Sequence, residues 1–255
     1  MRFDGAKTDI LVDKLLPLIV ERDFDSLLEY YYLLRYDAGS ANEWRKVFDA
    51  LTVQESYFWR EMDQIHALVN EIVPRFFRAH PDRTLNIWSA ACAAGEEPLT
   101  IAMALHEAGW FDRARINIHG SDASPRAVEA AQKGVYRERS FRTLPLGLRE
   151  KYFVGEKGAS EPSSELRSRI RWQITNLMSE SDLAGAPTGS EVIFCRNVFI
   201  YFSKSTVGKT VHAFAERMAR PGYLFVGAAE SLMQRPSDFE HQEIGDAFVY
   251  VRGAE

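Results

Sequence analysis

From residue 80 onwards short apolar runs alternate with helical stretches, and this alternation constrains the fold more than any other feature of the chain. Leu85 to Ala90 is an apolar run that follows the turn His80-Pro-Asp-Arg83, and a helix extends from it through Ala108. Arg115 to Gly120 reads as a second strand. The helix after it starts at Ser124-Pro125, a serine N-cap with proline at the first helical position, and runs to Lys133. Ile170 to Thr175 alternates like a strand, Glu191 to Cys195 reads as a buried strand, Lys204 to Ala219 is helical, and Gly222 to Ala228 and Ala247 to Arg252 are further strands. Parallel neighbours in a sheet require crossover connections, which helices supply. The pattern therefore predicts an α/β chain with a doubly wound, mostly parallel sheet.

Nothing before residue 80 reads as a strand. Ile10, Leu11, Leu15, Leu18 and Ile19 recur at helical spacing, with Pro17 expected to interrupt or kink the stretch. Phe24, Leu27, Leu28, Tyr31, Tyr32 and Leu34 mark a second helix, capped by Asp25 or Ser26; Asp37-Ala-Gly-Ser40 is a loop, and Glu43–Ala50 and Met62–Ala79 are two more helices. The expected division is an α-helical domain over 1–80 and an α/β domain over 81–255. Arg137 to Arg169 breaks the alternation and is expected to be a small inserted subdomain at about 137–169, with a strand at Lys151–Val154 and a Gly/Ser/Pro-rich loop at Gly155–Ser164. Residues 137–171 carry nine Lys/Arg against five Asp/Glu, in a chain whose net charge is −5. That contrast fits either a solvated basic face or a docking surface for an acidic partner.

The negative net charge argues against nucleic-acid binding. No apolar run approaches the ~20 residues that cross a bilayer, and Met1–Ile10 is polar, so the expectation is a cytoplasmic protein without membrane insertion. Cys92 and Cys195 sit in apolar stretches and read as reduced core thiols. A monomer without a metal is expected.

Three strand ends carry the chemistry. After the first strand comes Ser89-Ala-Ala-Cys-Ala-Ala-Gly-Glu-Glu-Pro98, whose small residues allow close approach of a ligand to the backbone. Its two acids would repel a pyrophosphate but suit an ammonium or sulfonium. Asp122 ends the second strand, placed to accept from both ribose hydroxyls of an adenosine or to cap the next helix. Asn176-Leu177 and Arg196-Asn197 end two further strands at the edge where open α/β sheets bind ligands. Together these predict an adenosine cofactor without a diphosphate, and S-adenosylmethionine fits.

At this point the sequence resembles a known family. Trp88-Ser-Ala-Ala-Cys-Ala-Ala-Gly-Glu-Glu-Pro98, Asn176-Leu177, Cys195-Arg-Asn-Val-Phe-Ile-Tyr-Phe202, Leu51-Thr-Val-Gln-Glu-Ser-Tyr-Phe-Trp-Arg60 and Gly222-Tyr-Leu-Phe-Val-Gly227 with Glu230-Ser231 resemble the CheR-type chemotaxis receptor glutamate O-methyltransferases, over about residues 25 to 252. The resemblance implies a Rossmann-like S-adenosylmethionine methyltransferase fold, an N-terminal helical domain and an inserted β-subdomain. It implies methyl transfer to glutamate side chains on the cytoplasmic helical region of a methyl-accepting chemoreceptor. It carries cofactor binding onto Gln54, Ser56, Arg60, Ala90, Glu97, Asp122, Asn176, Leu177, Asn197 and Val198. Glu97 would hold the methionine ammonium, Asp122 the ribose, Asn176 and Leu177 the adenine, and Asn197 and Val198 the methionine side. Arg60 and Tyr201 would form the active-site pair. Gln54, Ser56 and Trp59 depart from the Asn, Thr and Phe of the family motif. The basic N-terminal docking helix of enteric members has no counterpart here, since Lys7 to Asp25 holds three basic and five acidic residues. Docking through the basic insert is expected instead, and the 155–164 loop argues against strand addition by a receptor tether. The alternatives are a methyltransferase with another protein or a small carboxylate as acceptor, and a non-catalytic adenosyl-binding module.

Overall fold

The computed structural model describes residues 8–37, 39–51, 55–156, 158–232 and 238–253. Three helices open the chain: α1 (Thr8–Glu21), α2 (Leu27–Tyr36) and α3 (Ala41–Leu51). Leu15, Ile19, Tyr30 and Val47 form their buried centre. Ser26, not Asp25, caps α2, its side chain accepting from the Glu29 N–H. Pro17 lies inside a continuous α1 and does not end it. Leu15 and Ile19 flank it and are buried, so tertiary packing outweighs the backbone hydrogen bond that proline removes.

A second helical stretch runs as α4 (Met62–Ala67), a π-helical turn (Leu68–Ile72) and α5 (Val73–Ala79). The wide turn comes just ahead of Pro74, whose missing N–H an unbroken α-helix could not use. This stretch packs on the sheet: Ile65, Leu68, Ile72 and Val73 belong to the same buried cluster as Leu85, Ile87 and Phe225.

The α/β part follows as β1 (Thr84–Ala90), α6 (Glu96–Glu107), α7 (Trp110–Arg113), β2 (Arg115–Asp122), α8 (Pro125–Lys133), α9 (Leu146–Tyr152), β3 (Phe153–Glu156), β4 (Ala159–Pro162), α10 (Ser164–Ser168), β5 (Ile170–Ile174), α11 (Glu180–Ala184), β6 (Ser190–Cys195), α12 (Lys204–Arg217), β7 (Met218–Val226), β8 (Glu240–Ile244) and β9 (Ala247–Arg252). Seven strands form one sheet in the order β5-β2-β1-β6-β7-β9-β8. The pairs β1–β2, β1–β6, β2–β5 and β6–β7 are parallel, and β9 runs antiparallel to both neighbours. This is the expected doubly wound, Rossmann-like sheet closed by an antiparallel edge. β6 is buried along its whole length, as a central parallel strand must be. The order reverses between β1 and β6, which opens a crevice at their carboxyl ends. Sequence reading missed β8, whose Glu-His-Gln-Glu-Ile is too polar to stand out.

The insert differs from expectation at one point. The segment read as a loop at 155–164 is the β3–β4 hairpin, with Phe153 paired to Pro162 and Gly155 to Ser160. Gly155 takes φ 143°, which hides the strand from a propensity reading. Lys151 and Tyr152 close α9 and do not belong to the strand. Phe58 fastens the insert to the segment before α4, with ring centroids 4.8 Å from Tyr136, 5.2 Å from Phe141 and 4.9 Å from Phe153. Its N–H donates to Ser140 O at 2.9 Å.

Replacing Pro17 by Ala restores an N–H to an exposed position of a continuous helix. It is expected to stabilise the N-terminal helices by about 1–3 kcal/mol, measured by urea denaturation. An unchanged midpoint would mean that α1 is not continuous in solution.

Candidate active site

A cavity lies in the crevice where the strand order reverses. The loop after β1, the end of β2, the turn after β5 and the turn after β6 form its walls. Residues 55–60 cover it. It is lined by Ser56, Arg60, Glu97, Asp122, Asn176, Leu177, Asn197, Val198 and Tyr201, so one cavity gathers nearly every candidate residue. Gln54 lies outside the described residues. Ala90 does not line the cavity: it is the last residue of β1 and fully buried, and Ala91, Cys92 and Ala93 form the wall in its place.

The backbone around the cavity is bent in costly ways. Ala91 and Ala93 take φ 64° and 49°, Asn197 takes 59°, and Trp59 and Glu61 on either side of Arg60 take 67° and 50°. Non-glycine residues at positive φ cost of order 1–3 kcal/mol each and cluster where a site needs them. Here the N–H groups of Ala93 and Asn197 donate to Asp122 and Glu230, and α6 begins directly after its N-cap, Gly95. That glycine is required, since at its φ of 96° a Cβ would come 2.7 Å from the Trp172 ring.

Arg196 is the hub. Its side chain is only 3% exposed, and its Nε donates to Glu97 Oε2 at 2.6 Å. Nη1 donates to the carbonyls of Arg60 and Glu61 at 3.1 and 3.3 Å and to Gln64 Oε1 at 3.4 Å. Gln64 in turn donates to Val226 O at 2.8 Å. The end of β6, the start of α6 and the segment around Arg60 are thus tied through one guanidinium. Ser89 donates to the other Glu97 oxygen at 2.6 Å.

The two acids read as one cationic-ligand site separate. Only Glu97 lines the cavity. Glu96 is buried beneath the insert, where Ser140 Oγ donates to it at 2.9 Å, and burial pushes its carboxyl up against the effect of that bond. Asp122 accepts from Ala93 N and Ser124 N, each at 2.9 Å, so it does cap the turn into α8 while still lining the cavity. Burial raises its carboxyl above the usual aspartate range, opposed by those N–H groups. A carboxylate offers about four acceptor sites, so capping leaves room for a ligand. Asn176 likewise does double duty, its Oδ1 accepting from Met178 N at 3.0 Å.

Asn197 is held by Glu230, which accepts from Asn197 N at 2.8 Å, Gly227 N at 2.7 Å and Ile200 N at 3.2 Å. A Cβ at Gly227 would come within 2.5 Å of Asn197 Nδ2, so only glycine fits there. Arg60 donates to Glu55 O at 3.2 Å and lies 3.7 Å from Glu61 Oε1, a quarter exposed at the mouth. Tyr201 stands across the mouth on the 3₁₀ turn Phe199–Tyr201. Sequence reading did not assign roles to Arg196, Glu61, Thr175, Ala91 or Ala93. Arg196 sat in the quoted strand-end motif. The alanines carried no signal, because their role is a backbone angle. Cys92 and Cys195 are free and buried, and burial pushes both thiols well up, so they remain inert core groups.

The family model for the S-adenosylmethionine-binding domain of CheR methyltransferases matches residues 54–248. The chain belongs to the CheR methyltransferase family. It is 33% identical over 253 residues to chemotaxis protein methyltransferase 2 of Vibrio cholerae, covering 98% of this chain and 87% of that one. It is 29% identical to the chemotaxis protein methyltransferase of Salmonella typhimurium, over 91% of this chain and 79% of that one. The probable biofilm formation methyltransferase WspC of Pseudomonas aeruginosa is 32% identical, but this chain spans only 53% of its length. Among solved structures, the magnesium protoporphyrin IX methyltransferase of Synechocystis aligns with a TM-score of 0.35 and 12% identity over 89% of this chain and 98% of its own. The strand order, not that alignment, assigns the fold. The cofactor of this CheR domain is S-adenosylmethionine.

Truncating Arg196 to Ala would leave Glu97 charged and enclosed without its partner. The expected cost is about 3–5 kcal/mol of stability, read from urea unfolding. A loss below about 1 kcal/mol would show that the pair does not organise the site.

Proposed function

We propose that this CheR-family protein transfers the methyl group of S-adenosylmethionine to glutamate side-chain carboxylates of a methyl-accepting chemoreceptor, forming glutamyl methyl esters. The observation that supports this most is that Arg60 and Tyr201 line the mouth of the same cavity as Glu97, Asp122 and Asn197. The names of the relatives from Vibrio and Salmonella, chemotaxis protein methyltransferases, support an acceptor that serves chemotaxis.

The donor set fits the cofactor. Asp122, at the end of β2, takes the ribose hydroxyls. Glu97 takes the ammonium through the lone pairs that Arg196 and Ser89 leave free. Asn176 and Leu177 frame the adenine, and Ser56, Asn197 and Val198 flank the methionine. Thr175 Oγ1 is buried at the cavity wall without a protein partner, as expected for a hydroxyl that a ligand satisfies.

A glutamate side chain is ionised at neutral pH, with a reference pKa of about 4.3. When bound, the cofactor supplies a sulfonium methyl that passes to the carboxylate oxygen while the C–S electron pair stays on sulfur, so no proton moves and no general base is required. The protein's task is alignment. Arg60, held from behind by Glu55 O and Glu61, presents its guanidinium to the incoming carboxylate. Glu61 tempers the charge of Arg60, so that the nucleophile is oriented without being locked in a strong ion pair. The Tyr201 hydroxyl gives a second contact. Opposite charges vanish in the transition state, so enclosure by Tyr57, Met178 and Phe202 favours the reaction.

For receptor docking, the basic insert offers less free charge than its composition suggests. Arg142, Arg149, Lys151, Arg167 and Arg169 each pair with a glutamate. The β3–β4 hairpin removes the objection to strand addition. β4 also bridges to Tyr136, whereas β3 has β4 as its only partner among the described residues and exposes Val154. An extended receptor segment could pair along β3.

Incubation with S-adenosylmethionine labelled in the methyl group and with receptor cytoplasmic fragments should give protein-bound label released by mild base as methanol. Base-stable label would exclude a carboxyl ester, and binding without transfer would favour a non-catalytic module. Arg60→Ala is expected to lower kcat by ~100-fold through lost alignment, and Tyr201→Phe by less, with S-adenosylhomocysteine affinity held within a few-fold for Tyr201→Phe. Wild-type turnover in both folded variants would refute the pair. Because the Asp122 carboxyl is raised, its protonation on acidification removes the ribose acceptor earlier than for an ordinary aspartate. Affinity for S-adenosylhomocysteine should therefore fall as pH drops through that raised value, and Asp122→Asn should be weak and flat with pH. A calorimetric titration series checks both, and parallel profiles for the two proteins would remove Asp122 from the site.

A further inference from the structure

A second cavity of about 310 Å³ lies at the opposite, amino edge of the sheet. With β1 seven residues long, the two cavities are about 20 Å apart at ~3.3 Å per residue. Its walls come from α5, the turn before β1, the start of β6 and the first half of β7. They carry Arg75, His80, Arg83 and Arg220 beside the apolar Phe76, Pro221, Tyr223 and Val251. The chain as a whole is acidic, so a cavity with three guanidiniums is a marked local excess of positive charge.

The one carboxylate in its lining is already satisfied. Glu191 is buried, with Arg83 Nη2 at 3.0 Å from one oxygen and Asn86 N at 2.8 Å from the other. Among the described residues neither Arg75 nor Arg220 forms an ion pair, and both are exposed at the rim. Arg252 adds to the imbalance. Burial, and then the nearby Arg220, hold its guanidinium below the usual range, with Asp238 and Glu216 opposing. Arginines that crowd one another around a concave surface are relieved by an anion, and their planar forks match the oxygens of a phosphate.

We propose that this cavity binds a phosphate dianion, free or carried on a small organic molecule, between Arg75 and Arg220. Arg83 stays on Glu191 and adds its charge to the wall of the site. In a phosphate ester, the organic part rests on Pro221, Tyr223 and Val251. The site is separate from the methyl-transfer cavity and can be filled while that cavity is occupied.

The test is calorimetric titration of the full-length protein saturated with S-adenosylhomocysteine, so that adenine compounds cannot enter the first cavity. The probes are inorganic phosphate, pyrophosphate, AMP and GMP. At least one is expected to bind, and Arg75→Gln/Arg220→Gln is expected to weaken it tenfold or more while S-adenosylhomocysteine affinity stays unchanged. Arg75→Lys/Arg220→Lys, which keeps the charge, should retain part of the affinity. Tighter binding of a nucleotide than of phosphate would assign a role to the apolar wall, and equal binding would reduce the site to the bare anion. Absence of binding by all four probes, or equal affinity in the wild-type protein and the glutamine variant, would overturn the proposal.

Discussion

The ion pair between Arg196 and Glu97 is the interaction on which the site depends. It is nearly sealed from solvent, with side-chain exposures of 3% and 12%. It joins the two strands at which the sheet reverses its winding, since Glu97 opens the helix after β1 and Arg196 follows β6. Breaking such a pair exposes one unpaired charge to a poor solvent, which is why it acts as a clamp even if the intact pair adds little net stability. The same guanidinium donates to the carbonyls of Arg60 and Glu61, so the residue that would meet the substrate carboxylate is positioned by the pair that shapes the cofactor pocket.

Around that clamp the backbone carries conformational strain. Ala91, Ala93 and Asn197 hold left-handed angles at the carboxyl ends of β1 and β6. Two of them are restrained by carboxylates: Asp122, itself in the cavity wall, accepts from Ala93 N, and Glu230 accepts from Asn197 N. Carboxylates that look like ligand groups in sequence therefore also serve as braces. Phe58 and its aromatic neighbours extend the bracing to the insert, so the segment that covers the cavity rests on residues that share the core of the sheet.

Most of the α/β frame was legible because burial leaves period and turn signals in the sequence. β6 and Ser124-Pro125 are examples. β8 was not legible, because an edge strand with one solvated face can be as polar as Glu240–Glu243. Pro17 misled because a buried face on either side of it outweighs a local backbone preference. The β3–β4 hairpin was hidden by Gly155, inside β3, and Gly158, just before β4, both at positive φ. Among the candidate residues, those with a chemical signature in the sequence, Glu97, Asp122, Asn197 and Tyr201, line one cavity. The placement of Ala90 was off by one to three residues, since the wall of the cavity is made by backbone angles that small side chains permit but do not announce. The separate fates of Glu96 and Glu97 followed from helix phase: adjacent residues on α6 point about 100° apart, one into the cavity and one under Ser140.

The crevice beside Arg196 and Glu97 is proposed to hold S-adenosylmethionine with its ribose on Asp122. A crystal structure of the complex with S-adenosylhomocysteine tests this placement. Ribose oxygens are expected within hydrogen-bond distance of the Asp122 carboxylate, the homocysteine ammonium beside Glu97, and the sulfur facing the side of the cavity that Arg60 and Tyr201 line. A ligand bound outside this crevice, or one whose ribose lies away from Asp122, would contradict it.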